Sequence, residues 1–388
     1  MLRRLLSVGG LFALFSAALV SNCQAQWPAN QATLAHTVEQ LISENAIPGA
    51  VVLMRQGDQE WVQAFGVADL KTKQPMQADM SFRVGSNTKT MTATVILQLV
   101  QEGKLKLDDK VSQFFDNVPQ GDEVTIADLL DMRSGIATYS ELKSFNRILD
   151  QQPTKTFTPE QLIQLGIEQP AMFKPGSEYF YSNTNYVMLG VLIERLTKMS
   201  LEDAFEQRIF KPLKMTRTLM PAQEDNKLPS PFAHGYLFGT NENPSLTDEQ
   251  QKEALAGKLL PTDVTLANPS WGWAAGGAIS TASDLAVYVE ALVGGGLLDA
   301  PMQTKRLESI RPNNPDDPHS AGYGLGMAKL GPMLGHDGSL PGYQSFMGHD
   351  PKTGLTLIVL ANLQETPGGE GAANIIAKAL LQVPAAAE

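Results

Sequence analysis

The chain has 388 residues, of which 43% are hydrophobic and 18% are charged. This composition is typical of a packed globular protein and excludes a largely disordered one. The formal net charge is −11, which argues against binding to nucleic acid or to anionic membrane surfaces, because both attract basic proteins.

The first 25 residues have the pattern of a secretory signal peptide. Arg3 and Arg4 supply a positive start, an apolar run follows, and "CQA" ends at Ala25 with the small residues that a signal peptidase requires. A membrane anchor is disfavoured because the apolar run is shorter than the ~20 residues of a membrane span. Lipidation of Cys23 is a second alternative, disfavoured because Asn22 stands where a lipoprotein signal has a small residue.

Cleavage after Ala25 removes the only cysteine and changes the formal net charge to −13, because Arg3 and Arg4 are lost. A chain without thiols has neither disulfides nor a cysteine nucleophile and suits an oxidising compartment. We therefore expect a periplasmic or secreted protein. No metal site is predicted, because the five histidines do not pair at metal-ligand spacing: His36, His234, His319, His336 and His349.

Strand patterns occur near both ends of the chain. "AVVLMR" (50–55), the turn "QGDQ" and "EWVQAFGVAD" (60–69) predict an antiparallel hairpin. Three later segments are also β-prone, "GYGLGMAKL" (322–330), "PGYQSFMGHD" (341–350) and "GLTLIVLAN" (354–362), with "GHDGSL" and "PKTG" between them. A helix, "GAANIIAKALLQV", closes the chain. These patterns predict one sheet built from both ends of the chain.

Helical patterns fill most of the middle. They include "SNTKTMTATVILQLVQEG" (86–103), with apolar residues on one side, and "TNYVMLGVLIERLTKMS" (184–200), which is broadly apolar and therefore buried. A third helix starts with the capping box "TASD" (281–284). The polar segment 239–268 is interpreted as a surface excursion without chemistry.

The order of these elements predicts a discontinuous sheet domain formed by 26–85 and 272–388. The stretch 86–271, with its polar excursion, would form a mostly helical region.

Ser86 and Lys89 form a Ser-x-x-Lys motif at the start of the first long helix. The N–H groups and dipole at a helix start favour an anion, and Lys89 lies one turn further on the same face. A neutral lysine can take a serine proton if burial lowers its pKa, and no Asp or Glu occurs between Phe82 and Gln101. The alternative is a helix-capping serine beside an exposed lysine. A second match, Ser140 to Lys143, is interpreted as solvated surface.

The second motif is Tyr181-x-Asn183 in "PGSEYFYSNTNY". Tyr181 can relay a proton between the nucleophile and the leaving group, with a nearby cation favouring its phenolate form. Asn183 can donate its amide to a substrate carbonyl and contact Lys89. The alternative is aromatic packing at a helix start, with Asn183 or Thr184 as the cap.

The third motif lies in "GHDGSLPGY". A strand that carries His336, with Gly338 allowing a substrate backbone to approach, is what an edge-strand acyl-binding site requires. The backbone N–H groups of Ser339 and Ser86 can then form an oxyanion hole. The alternative is a glycine-rich hairpin turn with a polar histidine.

The order and spacing of the three motifs resemble the penicillin-recognising serine hydrolase superfamily. The similar branch holds class C β-lactamases, serine D,D-peptidases and carboxylesterases. Five further segments also resemble that branch: "DLLDMRSGI", "PGSEYFYSN", "MLGVLIERLT", "IFKPLKM" and "GGAISTASDLA". The resemblance covers nearly the whole mature chain. It implies an α+β, β-lactamase/transpeptidase-like fold, in which an antiparallel sheet flanked by helices adjoins a mostly helical region and the site lies between them.

The resemblance also implies roles for the motif residues and the absence of a cofactor. Ser86 would carry the acyl group, Lys89 would act as the base or its partner, and Tyr181 would transfer protons. The substrate would be bound by Asn183, His336, Gly338 and Ser339.

The sequence departs from that pattern in the third motif, at His336 and Asp337, and again at Met132 and Arg133. His336 replaces a lysine, which resembles the peptidase and esterase members more than the lactamases. Asp337 stands where a hydroxyl often binds a substrate carboxylate; an acid facing the site would repel a carboxylate, and the alternatives are that it points away or attracts an amine. Met132 and Arg133 replace a more usual His-Thr pair, without an evident role.

The sequence therefore predicts an exported serine hydrolase, with a D-alanyl-D-alanine carboxypeptidase of the penicillin-binding type as the first hypothesis. A class C-like β-lactamase or a carboxylesterase on the same scaffold is the alternative, so the partner is a small peptide, β-lactam or ester. A non-catalytic wall-binding protein is disfavoured by the three intact motifs. A Ser–His–Asp hydrolase using His336 or His349 is disfavoured because the G-x-S-x-G motif is missing.

Overall fold

The computed structural model describes residues 31–317 and 320–383. The predicted signal peptide, Cys23 and His319 lie outside these ranges. Inside them, none of the helices combines the length and hydrophobicity that crossing a membrane requires. The same residues contain no group of three or more His, Cys, Asp or Glu side chains arranged to hold a metal ion.

An eight-stranded antiparallel sheet forms the centre of the fold, in the order β2-β1-β12-β11-β10-β9-β8-β7. The strands are β1 (Gly49–Gln56), β2 (Gln59–Gly66), β3 (Phe82–Arg83), β4 (Tyr236–Leu237), β5 (Thr262–Asp263), β6 (Ile279–Ser280), β7 (Arg311–Pro312), β8 (Gly322–Tyr323), β9 (Ala328–Leu330), β10 (Met333–Leu340), β11 (Tyr343–His349) and β12 (Leu355–Ala361). Because β1 pairs with β12, strands from both ends of the chain share the sheet, as predicted. Two short pairs, β3–β6 and β4–β5, stand outside it.

Helices cover both faces of the sheet and fill the middle of the chain. They are α1 (Gln31–Glu44), α2 (Asn87–Gln101), α3 (Ile126–Leu130), α4 (Lys143–Gln151), α5 (Pro159–Ile167), α6 (Asn183–Thr197), α7 (Leu201–Phe205), α8 (Lys211–Leu213), α9 (Asp248–Leu255), α10 (Trp273–Gly276), α11 (Ala282–Gly294), α12 (Ala300–Glu308) and α13 (Ala372–Leu380). Helices α1 and α13 pack on one face of the sheet and α11 on the other. The fold is therefore the predicted α+β arrangement.

Strand β1 is apolar at every position from Ala50 to Met54 because it serves two hydrophobic cores. Successive side chains of a strand point to opposite faces. Val51 and Leu53 join the larger core, which continues among the middle helices, while Val52 and its neighbours join the core under α1 and α13. A strand covered on both faces reads as a continuous apolar run.

Helix α2 lies in the middle of the larger core and places its first turn at the sheet. It packs against α6, α10 and β10. The sequence predicts one apolar side, but residues 87–97 are all buried. The polar residues on the other side tolerate burial because they are hydrogen-bonded; for example, the Thr92 hydroxyl donates to Ala274 O at 2.7 Å and Thr88 donates to Gly85 O at 2.7 Å.

The structure corrects two local predictions. "GHDGSL" belongs to β10 and does not separate two strands. The capping box of α11 is half formed: Thr281 accepts from the Asp284 N–H, but the Asp284 carboxylate accepts from Arg217 N–H and from the Thr218 hydroxyl. The segment 239–268 contains α9 and β5 and is mostly exposed, although Thr265 and Asn268 are buried. The division into a sheet domain and a helical region remains a prediction.

Candidate active site

Ser86 lies at the turn between β3 and α2, directly against β10. Gly85 adopts a positive φ of 54°, and a side chain there would meet Ser339 N at 2.7 Å. A methyl group at Gly338 would lie 3.0 Å from Ser86 N and 2.0 Å from Val84 O. Gly338 is therefore required for the close approach of two segments of this chain, whereas the sequence analysis assigned it to the approach of a substrate.

The Ser86 hydroxyl does not cap its helix, so the capping alternative is wrong. Its Oγ lies 3.0 Å from Lys89 Nζ. Lys89 is fully buried, which also excludes an exposed lysine. Nζ makes two further contacts, with Asn183 Oδ1 at 2.6 Å and Ala275 O at 2.7 Å.

Burial lowers the pKa of Lys89 well below its ordinary value, and the negative charge of Asp337 opposes only part of this shift. No carboxylate forms an ion pair with Lys89 among residues 31–317 and 320–383. Removal from water disfavours the charged ammonium, and neither amide oxygen nor hydroxyl restores a full negative charge. The side chain is therefore set to lose its proton and act as a base.

Asn183 is fixed with its amide oxygen toward Lys89. Its Nδ2 donates to Ser140 Oγ at 2.8 Å, so Oδ1 faces Nζ. Its N–H donates to Thr138 Oγ1 at 3.1 Å. Asn183 is the first residue of α6, and the preceding Ser182 makes no side-chain cap. The capping alternative is thus not supported, and Ser140 belongs to this network instead of a solvated surface.

Tyr181 borders Ser86 and Lys89 at the same cleft. Its ring centroid lies 4.7 Å from Lys89 Nζ. Burial raises the pKa of Tyr181 well above its ordinary value, and the adjacent Ser86 side chain opposes part of the rise. From the sequence, a nearby cation was expected to favour the phenolate form of Tyr181. Burial of both groups instead favours the uncharged amine beside the uncharged phenol.

His336 is a buried, neutral member of β10. Burial lowers its pKa to about 4, with a smaller contribution from Lys89. Its Nδ1 lies 2.5 Å from Asp337 O, which can only accept, so Nδ1 carries the proton. Nε2 is then the acceptor for the Tyr323 hydroxyl at 3.1 Å. The strand setting rules out the hairpin-turn alternative.

The edge of β10 beside Ser86 is open from His336 onward, because pairing with β9 stops at Gly335. A two-residue turn joins β10 to β11, which makes Leu340 and Tyr343 a hydrogen-bonded pair and Ser339 the next, non-bonded position. The Ser339 N–H therefore points to the open edge. The Ser86 N–H has no backbone acceptor among the residues described. These two N–H groups are available for an oxyanion.

Met132 and Arg133 support the segment that carries Tyr181. Met132 is fully buried, and its Sδ accepts the Ser182 N–H at 3.3 Å. Arg133 donates to Asp131 O at 2.9 Å and to Pro312 O at 3.2 Å. The contacts with Ser182 and Pro312 are long-range, so the sequence alone could not assign them.

A cavity of about 390 Å³ lies beside the turn that follows β10. Pro341 and Trp271 form one wall, and the segment 239–268 forms another. Its apolar lining includes Leu149, Leu237, Val264, Leu266 and Trp271. The polar segment that the sequence analysis left without a role is therefore part of a cavity close to the site.

The sheet, the central helix and the Ser86–Lys89 contact define a serine hydrolase of the β-lactamase/transpeptidase-like class. A family model described as "Beta-lactamase" matches residues 34–381. The chain belongs to this family, which confirms the superfamily and the fold that the motifs indicated.

Three relatives illustrate the range of the family. The chain is 27% identical to "Penicillin-binding protein 4*" of Bacillus subtilis (strain 168), covering 84% of this chain and 70% of the relative. A "D-stereospecific amidohydrolase" from a Streptomyces species is similar with a TM-score of 0.78 and 30% identity, over 92% of this chain and 100% of the other. A "D-amino acid amidase" from Ochrobactrum anthropi SV3 has a TM-score of 0.74 and 25% identity, over 90% and 99%. The chain spans less of other relatives, such as 62% of the staphylococcal flp proteins.

Proposed function

We propose that this protein is a periplasmic or secreted serine hydrolase that forms an acyl-enzyme on Ser86 and cleaves amide bonds that follow D-amino acids. The hydrogen bonding of Lys89 carries the proposal. A neutral amine has two N–H groups and one lone pair. Ala275 O and Asn183 Oδ1 can only accept, so they take the two N–H groups and leave the lone pair facing Ser86 Oγ.

Acylation would start with transfer of the Ser86 hydroxyl proton to Lys89 Nζ, 3.0 Å away. Oγ attacks the substrate carbonyl, and the N–H groups of Ser86 and Ser339 stabilise the oxyanion. Tyr181 gives its proton to the departing nitrogen and receives one from Lys89, so both side chains return to their starting state. Water then releases the acyl group by the reverse sequence of proton transfers.

The charges at the His336 end of the cleft favour an amide substrate whose leaving group carries no carboxylate. His336 has a pKa of about 4 and is uncharged at neutral pH. Arg133 is directed to backbone carbonyls and to Asp131. Neither side chain offers a free charge to a substrate carboxylate. The two amidohydrolase relatives, whose names state D-stereospecific and D-amino acid substrates, support the same choice.

A D-alanyl-D-alanine carboxypeptidase is the second candidate, as the sequence analysis preferred. The penicillin-binding relative of Bacillus subtilis favours it. A carboxypeptidase of this kind must bind the terminal carboxylate of its substrate.

Export is supported by the signal pattern of the first 25 residues, and N-terminal sequencing of the secreted protein tests it. A mature chain that still starts at Met1 would contradict export.

The reaction is tested by intact mass after incubation with labelled penicillin, together with parallel assays on D-phenylalanine amide, acyl-D-Ala-D-Ala, nitrocefin and a p-nitrophenyl ester. We expect hydrolysis of the amide and loss of all activity in Ser86→Ala and Lys89→Met. Ser177→Ala removes an exposed serine hydroxyl elsewhere and is the matched control. Activity on the amide that survives in Ser86→Ala would falsify the proposal. Faster turnover of acyl-D-Ala-D-Ala than of the amide would favour the second candidate.

A further inference from the structure

Asp337 presents a carboxylate at one end of the open edge of β10. Its Oδ2 accepts from Asn374 Nδ2 at 2.9 Å, and its Oδ1 lies 3.7 Å from His336 Nδ1. The side chain is 39% exposed. The carboxylate is thus held in place by α13 and remains partly exposed to solvent beside His336.

Among the described residues, no lysine or arginine forms an ion pair with this carboxylate. Within the two described ranges, its only ion-pair contact is with His336, which is uncharged at neutral pH. Its negative charge acts across the site: it raises the pKa values of Lys89 and His336 against the effect of burial, and it adds to the rise that burial causes at Tyr181. A substrate entering the cleft would meet the same charge.

The direction of the sheet determines which part of a substrate meets Asp337. Neighbouring strands of the sheet run antiparallel, and an extended substrate added to the open edge would continue this pattern. Its C-terminal part would then run toward His336 and Asp337, and its N-terminal part toward Pro341. With the scissile carbonyl at Ser86 and Ser339, Asp337 lies beside the leaving group and the 390 Å³ cavity lies on the acyl side.

We propose that Asp337 selects the leaving group by charge, favouring amines that carry a second, positive group and disfavouring those that end in a carboxylate. This inference rests on the proposed function. A charge at about 7 Å, with an effective dielectric constant of about 50, changes kcat/KM about fivefold for each unit of leaving-group charge. Cationic and anionic leaving groups should therefore differ by about 25-fold.

A purely structural role is the competing explanation, because Asp337 also anchors Asn374 of α13. Asp337→Asn separates the two roles: the amide oxygen can still accept from Asn374 Nδ2, while the charge is lost. Asn374→Ala removes the anchor and keeps the charge. Asp58→Asn makes the same charge change at an exposed turn between β1 and β2 and serves as the matched control.

The experiment compares D-phenylalanyl amides of ethylenediamine, ethanolamine and glycine, which present cationic, neutral and anionic leaving groups on one acyl group. We expect kcat/KM to fall in that order for the unmodified protein, Asp58→Asn and Asn374→Ala. In Asp337→Asn the three values should agree within about twofold. Added salt should reduce the differences, because Asp337 is partly exposed.

Each outcome decides between the two proposals. Equal kcat/KM for the three amides in the unmodified protein would overturn the charge selection and leave the proposed function standing. A charge order that persists in Asp337→Asn would also overturn it. If none of the three amides is hydrolysed, the proposed function fails, and the inference fails with it.

Discussion

Replacing Asn183 by Asp tests whether Lys89 is the group that must lose its proton. The substitution conserves shape and places a carboxylate where Oδ1 lies 2.6 Å from Lys89 Nζ. At this distance and an effective dielectric constant of about 20, the attraction is about 6 kcal/mol. The cost of burying the new carboxylate offsets about half of it. The remaining ~3 kcal/mol raises the pKa of Lys89 by about two units.

The direction in which the pH profile moves depends on which form of Lys89 reacts, and this is the neutral amine. Burial lowers its pKa, so the neutral amine exists at working pH. A higher pKa keeps the proton on Lys89 until higher pH, so the acidic limb of kcat/KM should move up by about two pH units. Activity should fall at neutral pH, by at most about 100-fold, and recover in alkaline buffer. The assay is kcat/KM for D-phenylalanine amide between about pH 5 and pH 10.

The other titratable groups at the site should not produce the acidic limb of the kcat/KM profile. The pKa of His336 is about 4 and that of Tyr181 lies well above its ordinary value, so both keep one form over most of the range. Asn183→Ala removes the same contact without adding charge and should move the limb much less. An equal, pH-independent loss in both variants would refute the assignment of the limb to Lys89.

Three further substitutions have distinct expected outcomes. Gly338→Ala puts a methyl group 3.0 Å from Ser86 N, so we expect at least a ~100-fold loss of kcat/KM and a lower Tm; unchanged kinetics would contradict this packing. Met132→Ala should cost about 2–5 kcal/mol in chemical denaturation and Met132→Leu less than ~1.5, because only the first leaves a cavity. Arg306 is fully buried, burial lowers its pKa to about 10, and two of its nitrogens have no partner among the described groups. Because such a buried charge is costly, Arg306→Met should leave the free energy of unfolding unchanged or raise it.

Local patterns were sufficient to predict much of the fold. The apolar run of β1, the alternation in β2, the long apolar helices and the strands β11 and β12 were predicted, because each depends on the pattern of side chains along one element. The Ser86–Lys89 contact was predicted for the same reason, since one helical turn separates the two residues. The N-terminal helix α1 and the short β3–β6 pair were not predicted.

The rest of the site depends on contacts between residues far apart in sequence. Ala275 contributes only its backbone carbonyl to Lys89, so its side chain carries no signal. Ser140 was dismissed because its sequence neighbours are polar, although it orients Asn183. The direction of Asp337 could not be derived, since side chains at an open strand edge are not fixed by alternation alone.

A direct measurement of the protonation of Lys89 decides the central claim. Lysine labelled with carbon-13 at Cε reports protonation by NMR, and the Lys89 signal is assigned by its loss in Lys89→Met. We predict that this signal titrates well below the ordinary lysine pKa of about 10.4. A Lys89 that titrates at or above that value would be an ammonium at working pH, and it could not accept the proton of Ser86.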